Sequence, residues 1–263
     1  MKITLIHGDS IEAVRSLPSS SIDITVSSPP YNLGIKYGED NNSDLLSMEE
    51  YLLYMGGVIK EIYRASKKGG RICWNVPNQV REQNKGKLYS PSMEFSRLLL
   101  DAGFQFFDQI IWDQGWSDCA TAWGSWMSPS APFIRHRTES ILIFYKDVWK
   151  LQTDGESDLC AKDFLNLTSS EVWRIKPETD RTHPAAFPLE LPERCLKLFS
   201  YRESTVLDPF VGSGTTMLAS IKMNRNCIGI EREQKYIDMI KKRLNWGSGF
   251  DVKYEHVVGE TLK

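Results

Sequence analysis

Short apolar runs and amphipathic segments alternate along the chain. Apolar runs predict buried strands over residues 3–7, 22–27, 71–75, 106–112, 140–145, 205–208 and 227–231. Helical spacing of apolar positions predicts helices over residues 11–17, 48–66, 92–102, 189–199, 215–223 and 233–244. This alternation is typical of an α/β fold with a mostly parallel sheet and helices on both faces. Two of the strands, 106–112 and 140–145, have no clear helix between them, so we expect them to pair antiparallel.

One long region interrupts the alternation. Residues 114–181 have little periodicity and many turn formers, and they hold five of the eight tryptophans, at positions 116, 123, 126, 149 and 173. A loop-rich segment of this length inside a compact domain is usually functional or a small subdomain. The tryptophans fit two interpretations, the core of such a subdomain or aromatic platforms on a nucleic-acid surface.

Composition and charge narrow the class of protein. The 263 residues are 41% hydrophobic with a net charge of −2, which argues against a general polyanion binder but not against a local basic face. The candidates for phosphate contacts are Arg135, Arg137, Arg174, Lys176 and Arg181. No apolar run reaches 18 residues and the N-terminal apolar stretch is too short for a signal peptide, so we expect no membrane association. The five cysteines form no Cys-x-x-Cys pair, which favours a cytoplasmic protein with reduced thiols and no metal site.

A glycine turn follows the sixth predicted strand. Residues 208–215 read Asp-Pro-Phe-Val-Gly-Ser-Gly-Thr, and a predicted helix begins directly after them. Gly212 and Gly214 would let the backbone approach a ligand closely, and Thr215 can cap the helix. Glu231 ends the next predicted strand, where an acidic side chain accepts hydrogen bonds from ribose hydroxyls. The unit predicts a nucleotide-like cofactor.

The residue types in this turn indicate which cofactor. A phosphate-binding loop needs Gly-Lys-Ser/Thr, and a dinucleotide fingerprint needs a third glycine where Met217 stands. Asp208 would repel a pyrophosphate, whereas its carboxylate suits a cationic ligand such as the ammonium or sulfonium of S-adenosylmethionine. We therefore expect S-adenosylmethionine as the cofactor and S-adenosylhomocysteine as its product.

A second unusual segment follows the predicted strand 22–27. Residues 28–31 read Ser-Pro-Pro-Tyr. Pro29 and Pro30 fix the backbone and remove two donors, so carbonyl groups stay free to accept hydrogen bonds, and Tyr31 offers a flat face. Pro-Pro alone is also common in a plain strand-ending turn. Both segments, however, follow buried strands at the place where open α/β sheets bind ligands. Together they predict group transfer between the cofactor and a planar base.

The two segments resemble the signatures of the amino-methylating DNA methyltransferases. Those enzymes carry Asp/Asn/Ser-Pro-Pro-Tyr/Phe for catalysis, matched by residues 28–31, and Phe-x-Gly-x-Gly for S-adenosylmethionine, matched by residues 210–214. The order of catalytic motif, irregular segment and cofactor loop is similar to the β class. The resemblance implies a circularly permuted Rossmann-like methyltransferase sheet that the chain enters at its third strand and leaves after its second.

The resemblance also implies a division of the chain. Residues 1–113 form the catalytic half and residues 182–263 the cofactor-binding half. Between them, residues 114–181 form the target-recognition region, except that strand 140–145 belongs to the core sheet.

Roles for individual residues follow from the same resemblance. Ser28 Oγ and the Pro29 carbonyl would accept the hydrogens of the base amine, and Tyr31 would stack on the flipped base. Asp9, in His-Gly-Asp-Ser, resembles the acidic residue that binds the adenine amino group of the cofactor. Phe187 lies in residues 183–188, which resemble the segment that packs on the methionine end. The remaining cofactor contacts would be Asp208, Phe210, Gly212, Gly214, Thr215 and Glu231.

Serine at the first motif position bears on the substrate. In this family Ser-Pro-Pro-Tyr resembles the N4-cytosine enzymes, and Asp-Pro-Pro-Tyr is typical of N6-adenine enzymes. C5-cytosine methylation is disfavoured, because no cysteine of the chain follows a proline. We expect direct, in-line methyl transfer to the N4 amine of a flipped cytosine in double-stranded DNA, without a covalent enzyme intermediate. N6-adenine methylation is the first alternative. Further alternatives are an RNA or protein amide methyltransferase and an inactive binding subunit.

The resemblance also implies two candidate partners, a second copy of the chain in a homodimer and a cognate restriction endonuclease.

Overall fold

The computed structural model describes residues 1–32, 46–81, 88–115, 123–134, 136–178, 187–246 and 251–257. Its helices are α1 (Ser10–Ser16), α2 (Met48–Ala65), α3 (Pro91–Asp101), α4 (Ala161–Thr168), α5 (Glu190–Phe199), α6 (Thr215–Lys222) and α7 (Gln234–Arg243). Its strands are β1 (Lys2–His7), β2 (Ile22–Ser27), β3 (Ser66–Pro77), β4 (Val80–Arg81), β5 (Leu88–Tyr89), β6 (Gln105–Asp113), β7 (Trp123–Gly124), β8 (Pro132–Phe133), β9 (Thr138–Tyr145), β10 (Val172–Arg174), β11 (Thr205–Asp208), β12 (Asn226–Glu231) and β13 (Asp251–His256).

Nine strands of the described residues form one sheet in the order β10-β6-β9-β3-β2-β11-β12-β1-β13. Neighbours in this sheet are parallel except at β9, which pairs antiparallel with β3 and with β6. The expected antiparallel pairing is therefore confirmed. Read from the strand before the glycine turn, the sheet runs β11, β12, β1, although β1 is first in the chain. This is the permuted order, because the chain enters at the third of these strands.

Side chains on the two faces of the sheet pack into two separate cores. Alternation along β9 shows this division directly: Ile141 and Ile143 belong to one core, and Leu142 and Phe144 belong to the other. Helices α1, α2 and α3 cover the core that holds Leu142, whereas α4 to α7 cover the core that holds Ile141. The predicted α/β architecture with helices on both faces is thus confirmed.

Helix α2 shows how local sequence positions an element beside the motif of residues 28–31. It begins with a capping box, in which Ser47 Oγ accepts a hydrogen bond from Glu50 N at 3.2 Å and Glu50 Oε2 accepts one from Ser47 N at 3.0 Å. Its buried stripe includes Met55 and Ile59. This packing turns Tyr51 toward the end of β2, where its hydroxyl donates to the Pro30 carbonyl at 2.7 Å.

Several elements differ from the predicted ones. Strand β3 begins at Ser66, directly after α2, rather than at residue 71. The intervening Lys-Lys-Gly-Gly has the composition of a turn, yet it belongs to β3. A glycine is needed within it, because a Cβ at Gly70 would lie 2.8 Å from the Lys67 carbonyl oxygen. Strand β13, which sequence reasoning missed, extends the sheet by pairing parallel with β1. Its side chains are largely exposed, so it lacks the apolar run of a buried strand.

The region of residues 114–181 contains more regular structure than its sequence indicates. Helix α4 lies in it, and β10 joins the main sheet by pairing parallel with β6. Trp173 is buried in the core that α4 to α7 cover, and Trp149 packs against the same core and stacks on Phe107 with ring centroids 3.4 Å apart. These two tryptophans are therefore packed side chains of the main-sheet core rather than of a separate subdomain. Trp126 is 74% exposed. No helix among the described residues is long and apolar enough to span a membrane.

Candidate active site

Four adjacent strands bring the predicted site residues to one side of the sheet. Ser28 follows β2, Asp208 ends β11, Glu231 ends β12, and Asp9 comes two residues after β1. These strands are neighbours in the order β2-β11-β12-β1 and all run parallel. Their carboxyl ends therefore lie together, on what we call the C-terminal side of the sheet. Ligands of open α/β sheets bind on this side.

Asp208 is a buried carboxylate at the start of the glycine turn. It is 1% exposed, and its Oδ1 accepts hydrogen bonds from Ser27 Oγ at 2.6 Å and from Phe210 N at 3.1 Å. Burial raises the pKa of Asp208 to about 6, although these hydrogen bonds act in the opposite direction. The Phe210 ring packs edge-on against Trp74 at 6.1 Å. The turn thus holds a carboxylate whose ionised form is costly until a cation approaches it.

The glycine turn uses two left-handed glycines to begin α6. Gly212 has φ 52° and Gly214 has φ 83°, and Gly214 is the N-cap of α6. The expected helix cap by Thr215 is wrong, because the helix begins one residue earlier than that role requires. Thr215 Oγ1 instead accepts a hydrogen bond from the Arg243 guanidinium at 3.0 Å. Arg243 also donates to the Ser213 carbonyl at 3.0 Å, so α7 fixes the turn from outside.

Glu231 closes the turn on its other side. Its Oε2 accepts a hydrogen bond from Gly212 N at 3.0 Å, and its Oε1 accepts one from Glu233 N at 2.8 Å. Burial raises the pKa of Glu231 to about 7 despite these backbone donors. Each oxygen keeps a further lone pair, so the carboxylate can still accept hydrogen bonds from ligand hydroxyls.

Asp9 lies beside the same turn and has a structural role of its own. Its Oδ1 accepts a hydrogen bond from Ile11 N at 2.9 Å, which caps α1, and its Oδ2 accepts one from the Tyr54 hydroxyl at 2.8 Å. Ser10 Oγ donates to the Pro209 carbonyl at 2.7 Å and so connects the start of α1 to the residues after β11. The structure therefore places Asp9 beside the residues that follow β11, while its predicted contact with the adenine of the cofactor stays a prediction.

The chemistry of these three carboxylates fits S-adenosylmethionine. The partners of Asp9, Asp208 and Glu231 are hydroxyl and backbone N–H groups, rather than lysine or arginine side chains of the described residues. A ligand with a cationic centre, ribose hydroxyls and an adenine amine would supply what they lack. S-adenosylmethionine has all three, and the roles that the sequence predicts for Asp208, Glu231 and Asp9 stay predictions.

The motif of residues 28–31 is held rigidly from two sides. Ser28 Oγ forms a hydrogen bond with the Tyr31 hydroxyl. Tyr51 of α2 holds the Pro30 carbonyl, and Tyr89 of β5 donates to the Tyr31 carbonyl at 2.9 Å. Pro29 is buried. The two prolines and the hydroxyls of Tyr51 and Tyr89 fix the motif. It follows directly after Ser27, whose hydroxyl donates to Asp208.

Sequence reasoning missed a carboxylate beside this motif. Glu139 lies near the start of β9, and because β9 runs antiparallel its start is on the C-terminal side of the sheet. Its carboxylate accepts hydrogen bonds from Asn75 Nδ2 at 2.6 Å, Gln114 Nε2 at 2.9 Å and the Tyr31 hydroxyl at 3.4 Å. Burial raises its pKa. The signal that could have revealed it is an acidic residue at the start of an apolar run expected to be antiparallel.

The candidate DNA contacts lie partly within the described residues. Arg174 ends β10, its side chain is 85% exposed, and its Nε is 3.6 Å from Asp113 Oδ2. Arg137 precedes β9 and donates to the Gly115 carbonyl at 3.3 Å. Both are on the C-terminal side, because Arg174 and Thr138 each pair with Asp113 of β6. Lys176 is exposed, and Arg135 and Arg181 lie outside the described residues.

Phe187 precedes α5 and is buried in the core that α4 to α7 cover. That core also contains Val211 of the glycine turn. Residues 183–186, the rest of its predicted segment, lie outside the described residues. The structure thus brings Phe187 into the same core as the turn without showing a ligand contact.

Comparison with known proteins gives the same assignment. The model of the N6/N4 methyltransferase family, described as DNA methylase, matches residues 22–242. The type II methyltransferase M.MjaVI of Methanocaldococcus jannaschii is 37% identical over 179 residues, which cover 68% of this chain and 88% of that protein. M.ScaI of Streptomyces caespitosus, also a type II methyltransferase, is 31% identical over 259 residues, covering 92% of this chain and 81% of that protein.

Two solved structures share the fold. A Thermus thermophilus protein assigned as a DNA modification methylase, in complex with S-adenosyl-L-methionine, superposes with a TM-score of 0.75 and 27% identity, covering 96% of this chain and 99% of that one. The cytosine-N4-specific PvuII DNA methyltransferase superposes with a TM-score of 0.67 at 20% identity, covering 96% of each chain. Together with the permuted sheet and the two motifs, these matches identify the chain as a member of the β-class N6/N4 DNA methyltransferases, which use S-adenosylmethionine.

Proposed function

We propose that this enzyme methylates the N4 amine of a cytosine at a specific site in double-stranded DNA. The observation that carries the proposal is the uncharged Ser28 at the head of Pro-Pro-Tyr, hydrogen-bonded to Tyr31 and adjacent to Ser27, the partner of Asp208. In the family that the two motifs resemble, a serine at this position is typical of the N4-cytosine enzymes. It accepts a hydrogen bond from an amine without adding charge to the site.

The target base must leave the duplex, because its amine is out of reach inside the base stack. Tyr31 stacks on the flipped base. Ser28 Oγ and the Pro29 carbonyl accept hydrogen bonds from the two amine hydrogens, which favours a pyramidal nitrogen with a directed lone pair. S-adenosylmethionine, when bound, supplies an electrophilic methyl group. Since no residue needs to form a covalent bond to the base, the protein contributes mainly by positioning.

Rigidity of the motif supports this role. Tyr51 and Tyr89 fix the carbonyls of Pro30 and Tyr31 before any ligand arrives, at 2.7 and 2.9 Å. Preorganised acceptors lose little conformational entropy when the amine docks. Arg137 and Arg174, on the same side of the sheet, are suited to phosphates that flank the flipped base.

The test is a nucleoside analysis of DNA from a host that lacks N4-methylcytosine. The gene is expressed, genomic DNA is digested, and the nucleosides are separated and weighed by mass spectrometry. N4-methylcytosine supports the proposal, and sequencing of the same DNA then gives the recognition site. N6-methyladenine would overturn the proposal of cytosine as the target base, while direct methyl transfer to an exocyclic amine would still hold. Neither nucleoside, from a protein that binds S-adenosylmethionine, would favour an RNA or protein substrate.

A further inference from the structure

A chain of hydrogen bonds leads away from Ser28 into the protein. Ser28 Oγ contacts the Tyr31 hydroxyl, and that hydroxyl donates to Glu139 Oε2 at 3.4 Å. We infer that Glu139 is a positioning residue for this reaction and the final acceptor of the proton that the base amine must lose, acting through Tyr31 and Ser28. The inference rests on the proposed function, because it requires an exocyclic amine bound at Ser28.

Three side chains donate hydrogen bonds to the Glu139 carboxylate. Asn75 Nδ2 donates at 2.6 Å and Gln114 Nε2 at 2.9 Å, in addition to Tyr31. Three donors suit an ionised carboxylate, which can only accept. Either oxygen of the Ser28–Tyr31 pair can be the donor. The relay uses the arrangement in which Tyr31 donates to Glu139 and Ser28 donates to Tyr31, which leaves the lone pairs of Ser28 Oγ for the amine. In this arrangement the hydrogen bonds run in one direction, from the amine to Glu139.

The surroundings of Glu139 make it a stronger base than an exposed glutamate. Its contacts are Tyr31, Asn75 and Gln114, of which only Tyr31 can titrate, and no lysine or arginine of the described residues pairs with it. Burial raises the pKa of Glu139. An anion without a neighbouring cation also stabilises positive charge that develops at the far end of the chain. The 3.4 Å step is long for a hydrogen bond, and such contacts tighten in catalytic complexes.

The proton balance of the step is simple. When the amine nitrogen forms its bond to the methyl carbon, the bond between that carbon and sulfur breaks, and its electron pair stays on sulfur as a neutral thioether. The nitrogen then carries two hydrogens and a positive charge. One N–H bond then breaks and its electron pair stays on nitrogen. The proton moves to Ser28 Oγ, the proton of Ser28 moves to the Tyr31 oxygen, and the proton of Tyr31 moves to Glu139 Oε2. The base leaves neutral, Ser28 and Tyr31 are unchanged, and Glu139 later releases its proton to water.

The test compares single-turnover methylation of unmethylated plasmid DNA by wild type, Glu139→Gln and Tyr31→Phe. Glutamine keeps the size of the side chain but cannot take the proton, and phenylalanine keeps the stacking ring but interrupts the chain. We expect each substitution to lower the rate about a hundredfold, the lower range for loss of general base catalysis. The double variant should be no slower than the slower single variant, because both substitutions break the same chain.

Two further readouts separate this role from a merely structural one. With S-adenosylmethionine saturating at every pH, so that Asp208 and Glu231 do not titrate in the free pocket, the wild-type rate should fall as acid protonates Glu139. The Glu139→Gln rate should show no such fall. Cofactor affinity by calorimetry should match wild type in both variants, and Glu49→Gln, at an exposed site on α2, is the matched control.

The outcomes are distinguishable from failure of the proposed function. If wild type produces no methylated nucleoside, the proposed function fails first. If wild type is active and Glu139→Gln keeps its rate and pH profile, the relay is wrong while the function stands. Rate losses in Tyr31→Phe and Glu139→Gln that multiply in the double variant would also overturn it, because they would show independent roles.

Discussion

Replacing Asp208 by asparagine should change how the stability of the cofactor-free protein depends on pH. The pKa of this buried group is about 6 in the folded state, compared with an ordinary value of 3.8. A carboxyl whose folded-state pKa is raised stabilises the fold below the unfolded value and loses that contribution as pH rises through 6. At neutral pH the ionised Asp208 therefore costs about 3 kcal/mol in the absence of a cation, and Asp208→Asn removes the charge.

The size of the effect between pH 8 and pH 5 follows from the same two pKa values. At pH 5 the folded wild type has taken up a proton at Asp208, whereas the unfolded chain remains ionised there. One pH unit below the folded pKa corresponds to a tenfold change in the folding equilibrium, or about 1 kcal/mol. The free energy of unfolding of wild type should therefore rise by that amount, relative to Asp208→Asn, when pH falls from 8 to 5.

Urea denaturation followed by tryptophan fluorescence at pH 5, 6, 7 and 8 measures this difference. The control is Asp154→Asn, an exposed position that should keep the wild-type pH dependence. Parallel wild-type and Asp208→Asn curves over the whole range would refute the reasoning, since Asp208 would then take up no proton on acidification.

Asp208→Asn should also weaken the binding of the cofactor, although it stabilises the cofactor-free fold at neutral pH. A hydrogen bond to a charged group contributes about 1.5–3 kcal/mol, so Asp208→Asn should raise the Kd of S-adenosylmethionine by about ten- to a hundredfold at pH 8. Titration calorimetry gives this constant directly. An unchanged Kd would contradict the placement of the cationic end of the cofactor at Asp208.

Three other substitutions test separate parts of the molecule. Ser28→Ala should lower the single-turnover methylation rate at least about a hundredfold, with the Kd of the cofactor unchanged, and an enzyme with full activity would remove Ser28 from the mechanism. Gly214→Ala should lower the free energy of unfolding by about 1–3 kcal/mol in urea, because φ is +83° there and the new Cβ would lie 3.1 Å from Ile240. Arg225→Met should lower the free energy of unfolding in urea by about 3–5 kcal/mol, because the fully buried Arg225 guanidinium pairs with Asp158, whose carboxylate would lose its partner. Adding Asp158→Asn to this variant should restore part of the lost free energy.

The strand ends that carry the two motifs could be predicted from the sequence. The apolar runs 22–27 and 205–208 coincide with β2 and β11, and each is followed at once by the residues that define its chemistry. Local information was sufficient here, because both strands are rich in β-branched and aliphatic residues and each is followed by turn-forming residues, although β2 also buries the polar Asp23, Thr25 and Ser27. The permuted order of the sheet then followed from the resemblance alone.

The network around Glu139 could not be predicted in the same way. Its members Tyr31, Asn75 and Gln114 come from three other segments of the chain, and only the pairing of β9 with both β3 and β6 brings them together. Strand β13 could not be predicted for a different reason. It lies at the edge of the sheet with largely exposed side chains, so its sequence has no apolar run. Backbone pairing rather than side-chain pattern determines both.

The antiparallel strand β9 has a consequence for how specificity can change over evolution. The chain leaves β6 at Asp113 and returns to β9 at Thr138, and these two residues are direct cross-strand partners. Gln114 N also donates to the Arg137 carbonyl at 3.2 Å, so the two ends of the intervening segment are clamped together. Because the entropy of closing a loop changes slowly with its length, such a segment can be lengthened, shortened or exchanged between homologues at small cost to the sheet. The segment of residues 114–137 can therefore change in length and sequence while Ser28, Asp208 and Glu231 stay where their own strands hold them, so the target recognition that the sequence predicts for this region would be free to diverge.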